Sequence, residues 1–183
     1  MEIRPLKLAG ACLIELKRIS DERGFFQRLY DAETFAKHDL QIVWEHDSQS
    51  FNRKRHTVRG LHFQLPPFAE TKLVRVSRGA ISDVIVDLRR SSPTYGEWEA
   101  VELSEENGRC LYIPQGFAHG FCTLTDESIV NYKIDAPYHA GSAAGIRWND
   151  PALGIDWPVT EAEAQLSAKD RVAPRLADLP PLF

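Results

Sequence analysis

Two histidines stand in segments suited to a cleft. His62 lies in Arg59-Gly60-Leu61-His62-Phe63-Gln64, with Glu70, Lys72 and Gly79 following. His119 lies in Pro114-Gln115-Gly116-Phe117-Ala118-His119-Gly120-Phe121. An imidazole titrates near neutrality, so it can move protons, and its neutral form can bind a metal. His62, Glu70 and His119 would make a two-His, one-carboxylate set for Fe(II) or Mn(II). Alternatively, the two rings are acid–base and hydrogen-bonding groups in a cavity that needs no metal. Lys72 favours the second reading, because an ammonium group beside Glu70 repels a dication. It would instead stabilise an enolate or hold a phosphate. The default alternative for it is a solvated charge on an edge strand.

Other residue types extend the chemistry. Tyr132, in a β-like run, is by default a packing residue, but its phenol can return a proton to a carbanion. Asp170, by default a surface carboxylate, would orient His62 and raise its basicity if folded against it. Arg23 and Arg59 each adjoin a glycine, which allows close backbone approach to an anion that guanidinium grips in bidentate fashion. Each alone reads as a surface salt bridge; together with Lys72 and Lys169 they suggest a diphosphate site.

Short elements must position these groups. β-branched and aromatic runs at 72–76, 81–88, 98–103, 110–113 and 129–134 alternate with turn signals such as Ser77-Arg78-Gly79 and Glu106-Asn107-Gly108. This pattern predicts an all-β sandwich or barrel. Val84-Ile85-Val86 is continuously apolar, as in a strand buried on both sides. Asp31 is placed to cap a short helix running through Phe35 to His38. Thr160 with Glu163 forms a capping-box pattern that predicts a helix toward Leu166. The tail beyond Val172, rich in Pro and Leu, is expected to pack over a surface or fray. A strand ending in PxGxxH, some way after a GxH strand, is similar to a cupin-type double-stranded β-helix. In that arrangement the two histidines point into one barrel from neighbouring strands.

Composition narrows the class. The chain has 183 residues, 43% hydrophobic and 26% charged, which is ordinary for a globular protein. No repeat or linker is evident, and residues 1–183 read as a single domain. The net charge of −4 makes a general nucleic-acid binder a poor fit, although a few cations can still converge on an anionic small molecule. Cys12, Cys110 and Cys122 lack CxxC spacing and read as buried thiols in a reducing cytoplasm. No run approaches the ~20 apolar residues of a membrane span, and Leu8 to Ile14, framed by Lys7 and Glu15, does not read as a signal peptide.

These segments together resemble the dTDP-4-dehydrorhamnose 3,5-epimerase family. The resemblance runs through Asp21-Glu22-Arg23-Gly24-Phe25-Phe26, the Arg59 to Gln64 segment, Lys72-Leu73-Val74, Gly79 with Asp83-Val84, and Asp87-Leu88-Arg89 with Ser92-Pro93-Thr94-Tyr95-Gly96. It continues through Ile113 to Phe121, Tyr132-Lys133, Tyr138, Trp148-Asn149-Asp150-Pro151, Trp157-Pro158 and Ser167 to Asp170, which is nearly the whole chain. It implies a cupin-type jelly-roll barrel with short peripheral helices. The expected enzyme is an isomerase without cofactor or metal, a cytoplasmic homodimer. It would act on dTDP-4-dehydro-6-deoxyglucose at C3 and C5, toward dTDP-L-rhamnose or a related deoxysugar. In the roles it implies, His62 removes the proton beside the C4 ketone and Asp170 pairs with it. Lys72 stabilises the enolate oxygen, and Tyr132 returns a proton on the opposite face. Arg23, Arg59, His119 and Lys169 bind substrate, and Tyr138 stacks on the base. The segment carrying Arg23 would reach the partner subunit's site.

Some positions depart from the family pattern. Arg28 and Ala143 stand where glutamate is common, and His46-Asp47-Ser48-Gln49-Ser50 replaces a QxNxS-like segment. These departures concern the nucleotide end, so an altered nucleotide preference is one expectation. A mono-epimerase, a metal-dependent cupin enzyme and a non-catalytic sugar-binding cupin remain as alternatives. Gln64 in place of a second motif histidine weighs against the metal enzyme. An opposed base and acid weigh against pure binding.

Overall fold

A computed structural model describes every residue of the chain except Pro181. Two antiparallel sheets face each other. The first holds, in spatial order, β1 (Glu2–Pro5), β2 (Cys12–Glu15), β10 (Arg109–Ile113), β7 (Lys72–Arg78), β12 (Ser128–Ile134) and β5 (His46–Asn52). The second holds β13 (Ala143–Gly145), β6 (Val58–Gln64), β11 (Phe117–Thr123), β8 (Ala80–Asp87) and β9 (Trp98–Ser104). A separate hairpin, β3 (Arg18–Asp21) with β4 (Gly24–Gln27), stands outside both sheets. This is the jelly-roll barrel that the strand spacing and the family resemblance imply.

Side-chain alternation builds three cores. Val74, Ile85, Leu111, Phe117, Phe121 and Val130 fill the barrel between the sheets. Val84 and Val86 point the other way. They pack with Leu61, Phe63, Trp148 and Trp157 under the C-terminal segment. β8 is therefore buried on both faces, which explains its unbroken apolar run. On the outside of the six-stranded sheet, Phe35 seals Ile14, Cys110 and Tyr112. It sits on the helix α1 (Ala32–Lys37), where Asp31 Oδ1 accepts from Thr34 N at 2.9 Å as N-cap. The three cysteines are free and buried. No helix among the described residues is long and apolar enough to cross a membrane.

Two local expectations change. Thr160 Oγ1 and N both donate to Glu163 Oε2, at 2.6 and 3.4 Å, while Glu163 N bonds to Thr160 O at 3.1 Å, so the reciprocal cap is not made and only a turn follows. Gln165 N donates to His56 O, and Gln165 O accepts from Val58 N, both at 2.9 Å. Bridging beside β6 takes the backbone groups that a helix would have used. The PxGxxH segment likewise opens a strand instead of ending one, since Pro114 to Gly116 is the turn before β11. The tail packs, with Leu182 joining the outer core and Leu176 N donating to Asp150 Oδ2 at 2.8 Å. Pro181, within that tail, lies outside the described residues.

One buried carboxylate organises the turn between β8 and β9. Asp87, with no exposed surface, accepts from Arg89 Nε and Nη2 at 2.9 and 2.8 Å, Ser92 Oγ at 2.6 Å and Thr94 Oγ1 at 2.8 Å. Burial pushes its pKa up, but these donors outweigh burial and hold it at about 2. A depressed carboxyl stabilises the fold above the unfolded-state pKa, and that contribution fades as pH falls toward 2. Asp87→Asn should therefore lower the unfolding free energy at pH 7 by about 2–4 kcal/mol. It should also remove part of the wild-type stability loss between about pH 4 and pH 2. Urea titrations at several pH values check both.

Candidate active site

A β-bulge decides which side chains of β6 reach the interior. In the β6–β11 ladder, Arg59 pairs with Phe121 and His62 with His119, so two residues of β6 oppose Gly120 alone. In a regular strand Arg59 and His62, three apart, would face opposite sides. The extra residue shifts the phase, so Val58, Leu61 and Phe63 enter the outer core. Arg59, His62 and Gln64 line the cavity between the sheets, about 910 Å³ in volume. Only glycine fits the crossing. Gly60 has φ +129, and a Cβ there would lie 2.5 Å from Gly120 Cα and 2.8 Å from His119 O.

The five-stranded sheet supplies two histidine–carboxylate pairs. His62 Nε2 lies 2.6 Å from Asp170 Oδ1. Asp170 sits on α2 (Ala168–Arg171), capped by Ser167, and is 4% exposed. Burial pushes the Asp170 carboxyl up. The His62 hydrogen bond and charge, with Ser167 and the Gly60 N–H, outweigh it and hold the group below its ordinary value. A carboxylate can only accept, so the neutral ring carries its proton on Nε2 and Nδ1 is left to take up another. The second pair is His119 Nε2 with Asp83 Oδ1, also 2.6 Å apart and fully inside the barrel.

The six-stranded sheet supplies the opposite wall. Lys72 lies on an interior strand and is 9% exposed, so it is not the solvated edge-strand charge of the default reading. Its Nζ lies 2.8 Å from Glu70 Oε1, and Glu70 Oε2 accepts from Gln64 Nε2 at 3.1 Å. Tyr132 projects into the same cavity and shares a hydrogen bond with Ser50 Oγ at 3.0 Å. Burial pushes its phenol up to about 12, so it carries a proton at neutral pH. A base on one wall faces a protonated phenol and an ammonium group on the other. That arrangement can remove a proton from one face of a bound carbon acid, stabilise the oxyanion, and return a proton to the other face.

Of the residues singled out by type or by the resemblance, His62, Lys72, Tyr132, Asp170, Arg59, His119, Tyr138 and Lys169 line this cavity. Tyr138 stands at the mouth, 71% exposed. Arg23 does not line it. On the β3–β4 turn its side chain is 84% exposed and pairs with Asp21 at 2.5 Å. His62, Glu70 and His119 do not converge, because Glu70 turns to Lys72 and Gln64; among the described residues no three or more His, Cys, Asp or Glu gather as a metal-ligand set. Sequence reasoning gave no role to Asp83, Ser50 or Asn52. Asp83 carried a signal, as an acid in the interior of the largely apolar strand 81–88, which also holds Asp87 near its end. Of the departing positions, Ala143 lines the cavity opposite Gln64, and Arg28 Nη1 pairs with Asp31 Oδ2 at 3.0 Å.

Residues 5–178 match the family model of dTDP-4-dehydrorhamnose 3,5-epimerase. The chain is 45% identical over 183 residues to the dTDP-4-dehydrorhamnose 3,5-epimerase of Sinorhizobium fredii, covering 100% of this chain and 93% of that protein. A crystal structure of the Bacillus anthracis dTDP-4-dehydrorhamnose 3,5-epimerase, with TDP and PPi bound, superimposes with a TM-score of 0.92 at 44% identity, covering 96% of this chain and 99% of that one. The Legionella pneumophila dTDP-6-deoxy-D-glucose-3,5-epimerase, in complex with dTDP-4-keto-L-rhamnose, gives a TM-score of 0.91 at 38% identity, covering 100% and 98%.

The close crossing of β6 and β11 makes a definite demand. Gly60→Ala should lower stability by about 2–4 kcal/mol, since the strands must part to admit the methyl group and the backbone is strained besides. Thermal unfolding checks it; an unchanged midpoint would mean that the crossing relaxes freely.

Proposed function

Because the chain belongs to the dTDP-4-dehydrorhamnose 3,5-epimerase family, we propose that it inverts C3 and C5 of dTDP-4-dehydro-6-deoxyglucose, on the way to dTDP-L-rhamnose. The observation that carries the reading is the placement of base and acid on opposite sheets of one cavity, with a buried lysine beside the acid. The C4 ketone makes the hydrogens on C3 and C5 weakly acidic, and no change of oxidation level is needed. His62 Nδ1 removes the proton, and Asp170 stabilises the imidazolium that forms. Lys72 faces the developing oxygen anion at C4, and Tyr132 delivers a proton from the other side. The same groups serve both carbons in turn.

The remaining cations and the exposed ring have a place in this scheme. Arg59, His119 and Lys169 hold the sugar nucleotide, and Tyr138, open at the mouth, stacks on the base. Residues 1–183 act as one unit, since α2 brings Asp170 to a histidine on β6. The free, buried cysteines suit a reducing cytoplasm. The working form is a homodimer. Its support is the hairpin that leaves Ile19, Phe25 and Phe26 63%, 56% and 63% exposed, an apolar cost that a second copy would remove. Arg23, at the turn of that hairpin, then enters the second copy's cavity.

Proton NMR in D₂O with dTDP-4-dehydro-6-deoxyglucose tests the chemistry. Wild type should place deuterium at both C3 and C5. His62→Ala should lose exchange at both, whereas Tyr132→Phe should keep exchange and lose inversion. Equal loss of both in the Tyr132 variant would remove its role as donor. For the assembly, light scattering on the eluting protein should give twice the 20.7 kDa chain mass. Replacing Phe25 and Phe26 together by serine should yield the single-chain mass with weakened substrate binding. A native chain eluting at its own mass would remove the dimer.

A further inference from the structure

Tyr132 is the last member of a hydrogen-bonded row that no step above uses. Its hydroxyl lies 3.0 Å from Ser50 Oγ, across the ladder joining β12 to β5. Asn52 Nδ2 approaches Ser50 Oγ at 3.4 Å and donates to Ser128 O at 3.2 Å. Asn52 Oδ1 accepts from Arg59 Nε at 2.7 Å. Asn52 is 2% exposed, so its orientation matters energetically. Arg59 can only donate, which fixes the Asn52 oxygen toward it and the amide hydrogens toward Ser50. Ser50 therefore keeps its own hydrogen and one lone pair for use toward the phenol.

We infer that Ser50 is a positioning residue for Tyr132, a hydroxyl that accepts from the phenol before proton transfer and donates to the phenolate afterwards. The inference rests on the proton-donor reading of Tyr132. In that step the phenol O–H bond breaks and its proton forms the new C–H bond. The enolate electron pair moves into that bond, the C4 carbonyl re-forms, and the negative charge is left on the Tyr132 oxygen. The proton held by His62 then returns to that oxygen through solvent. A carbonyl or carboxylate at Ser50 could serve only the first of the two states, whereas a hydroxyl turns over by rotation. Burial, which pushes Tyr132 up to about 12, is the main obstacle to the phenolate, and the Asp83 charge adds to it. The Ser50 hydrogen bond and the Arg59 charge act in the opposite direction.

The test separates two rates in D₂O: exchange with retained configuration, which needs His62, and inversion, which needs Tyr132. Ser50→Ala should slow inversion about 10- to 100-fold, the worth of a hydrogen bond to a charged group. Exchange should stay within about threefold of wild type, because proton removal by His62 does not use Ser50. Ser50→Thr should restore inversion. A wild-type ratio of inversion to exchange in Ser50→Ala, a parallel fall in both rates, or a Thr variant as impaired as Ala overturns the inference. Tyr132→Phe, assayed alongside, separates the two levels. If it keeps exchange and loses inversion, the donor reading stands and the Ser50 variants judge Ser50 alone. If it loses both alike, the donor reading fails and takes the inference with it.

Discussion

The extra residue in β6 fixes the phase that the rest of the site depends on. Strand side chains alternate strictly, so a chain that must present both an arginine and a histidine three residues later to one cavity needs a dislocation between them. Gly60 supplies it, at a crossing where Gly120 leaves room on the neighbouring strand. The same shift sends Leu61 and Phe63 outward into the core beneath the C-terminal segment. Functional and packing faces are thus set by one local irregularity, and the strand on either side of it can remain regular.

Around that strand the barrel brings charge into a space lined by Val74, Ile85 and Phe121. Three pairs form there: Lys72 with Glu70, His62 with Asp170 and His119 with Asp83. Desolvated groups are tolerable only on such terms. The pairing also tunes chemistry. The Asp170 carboxylate fixes which nitrogen of the neutral His62 ring carries the proton. The phenol, whose neighbour is a hydroxyl, is protonated at neutral pH.

Much of this was legible in the chain. The runs at 72–76 and 129–134 lie inside observed strands, and that at 81–88 matches β8 to within one residue, because β-branched runs between turn residues leave few alternatives. His62, Lys72, Tyr132 and Asp170 were recognisable as types, and eight of the nine singled-out residues meet in one cavity. Some features were not legible, for a common reason: they depend on the partner an element finds. Thr160 and Glu163 meet only in a turn, because the backbone beyond them bridges to β6 and not to itself. Asp83 marks itself in sequence only as an acid in an apolar strand, and gains its role when β11 places His119 against it. Ser50 gains meaning only when β5 pairs with β12. Arg23 shows the converse, since its own chain leaves it outside the cavity.

His62 and Asp170 touch although they stand 108 positions apart. A ribosome adding about 5–20 residues per second completes that interval in roughly 5–20 s. During this time the imidazole exists without the carboxylate that orients it. The strands that line the cavity all precede α2 in the chain, so its walls can assemble before Lys169 and Asp170 arrive. A prematurely released fragment lacking α2 would keep the cavity walls and lack the carboxylate that orients His62.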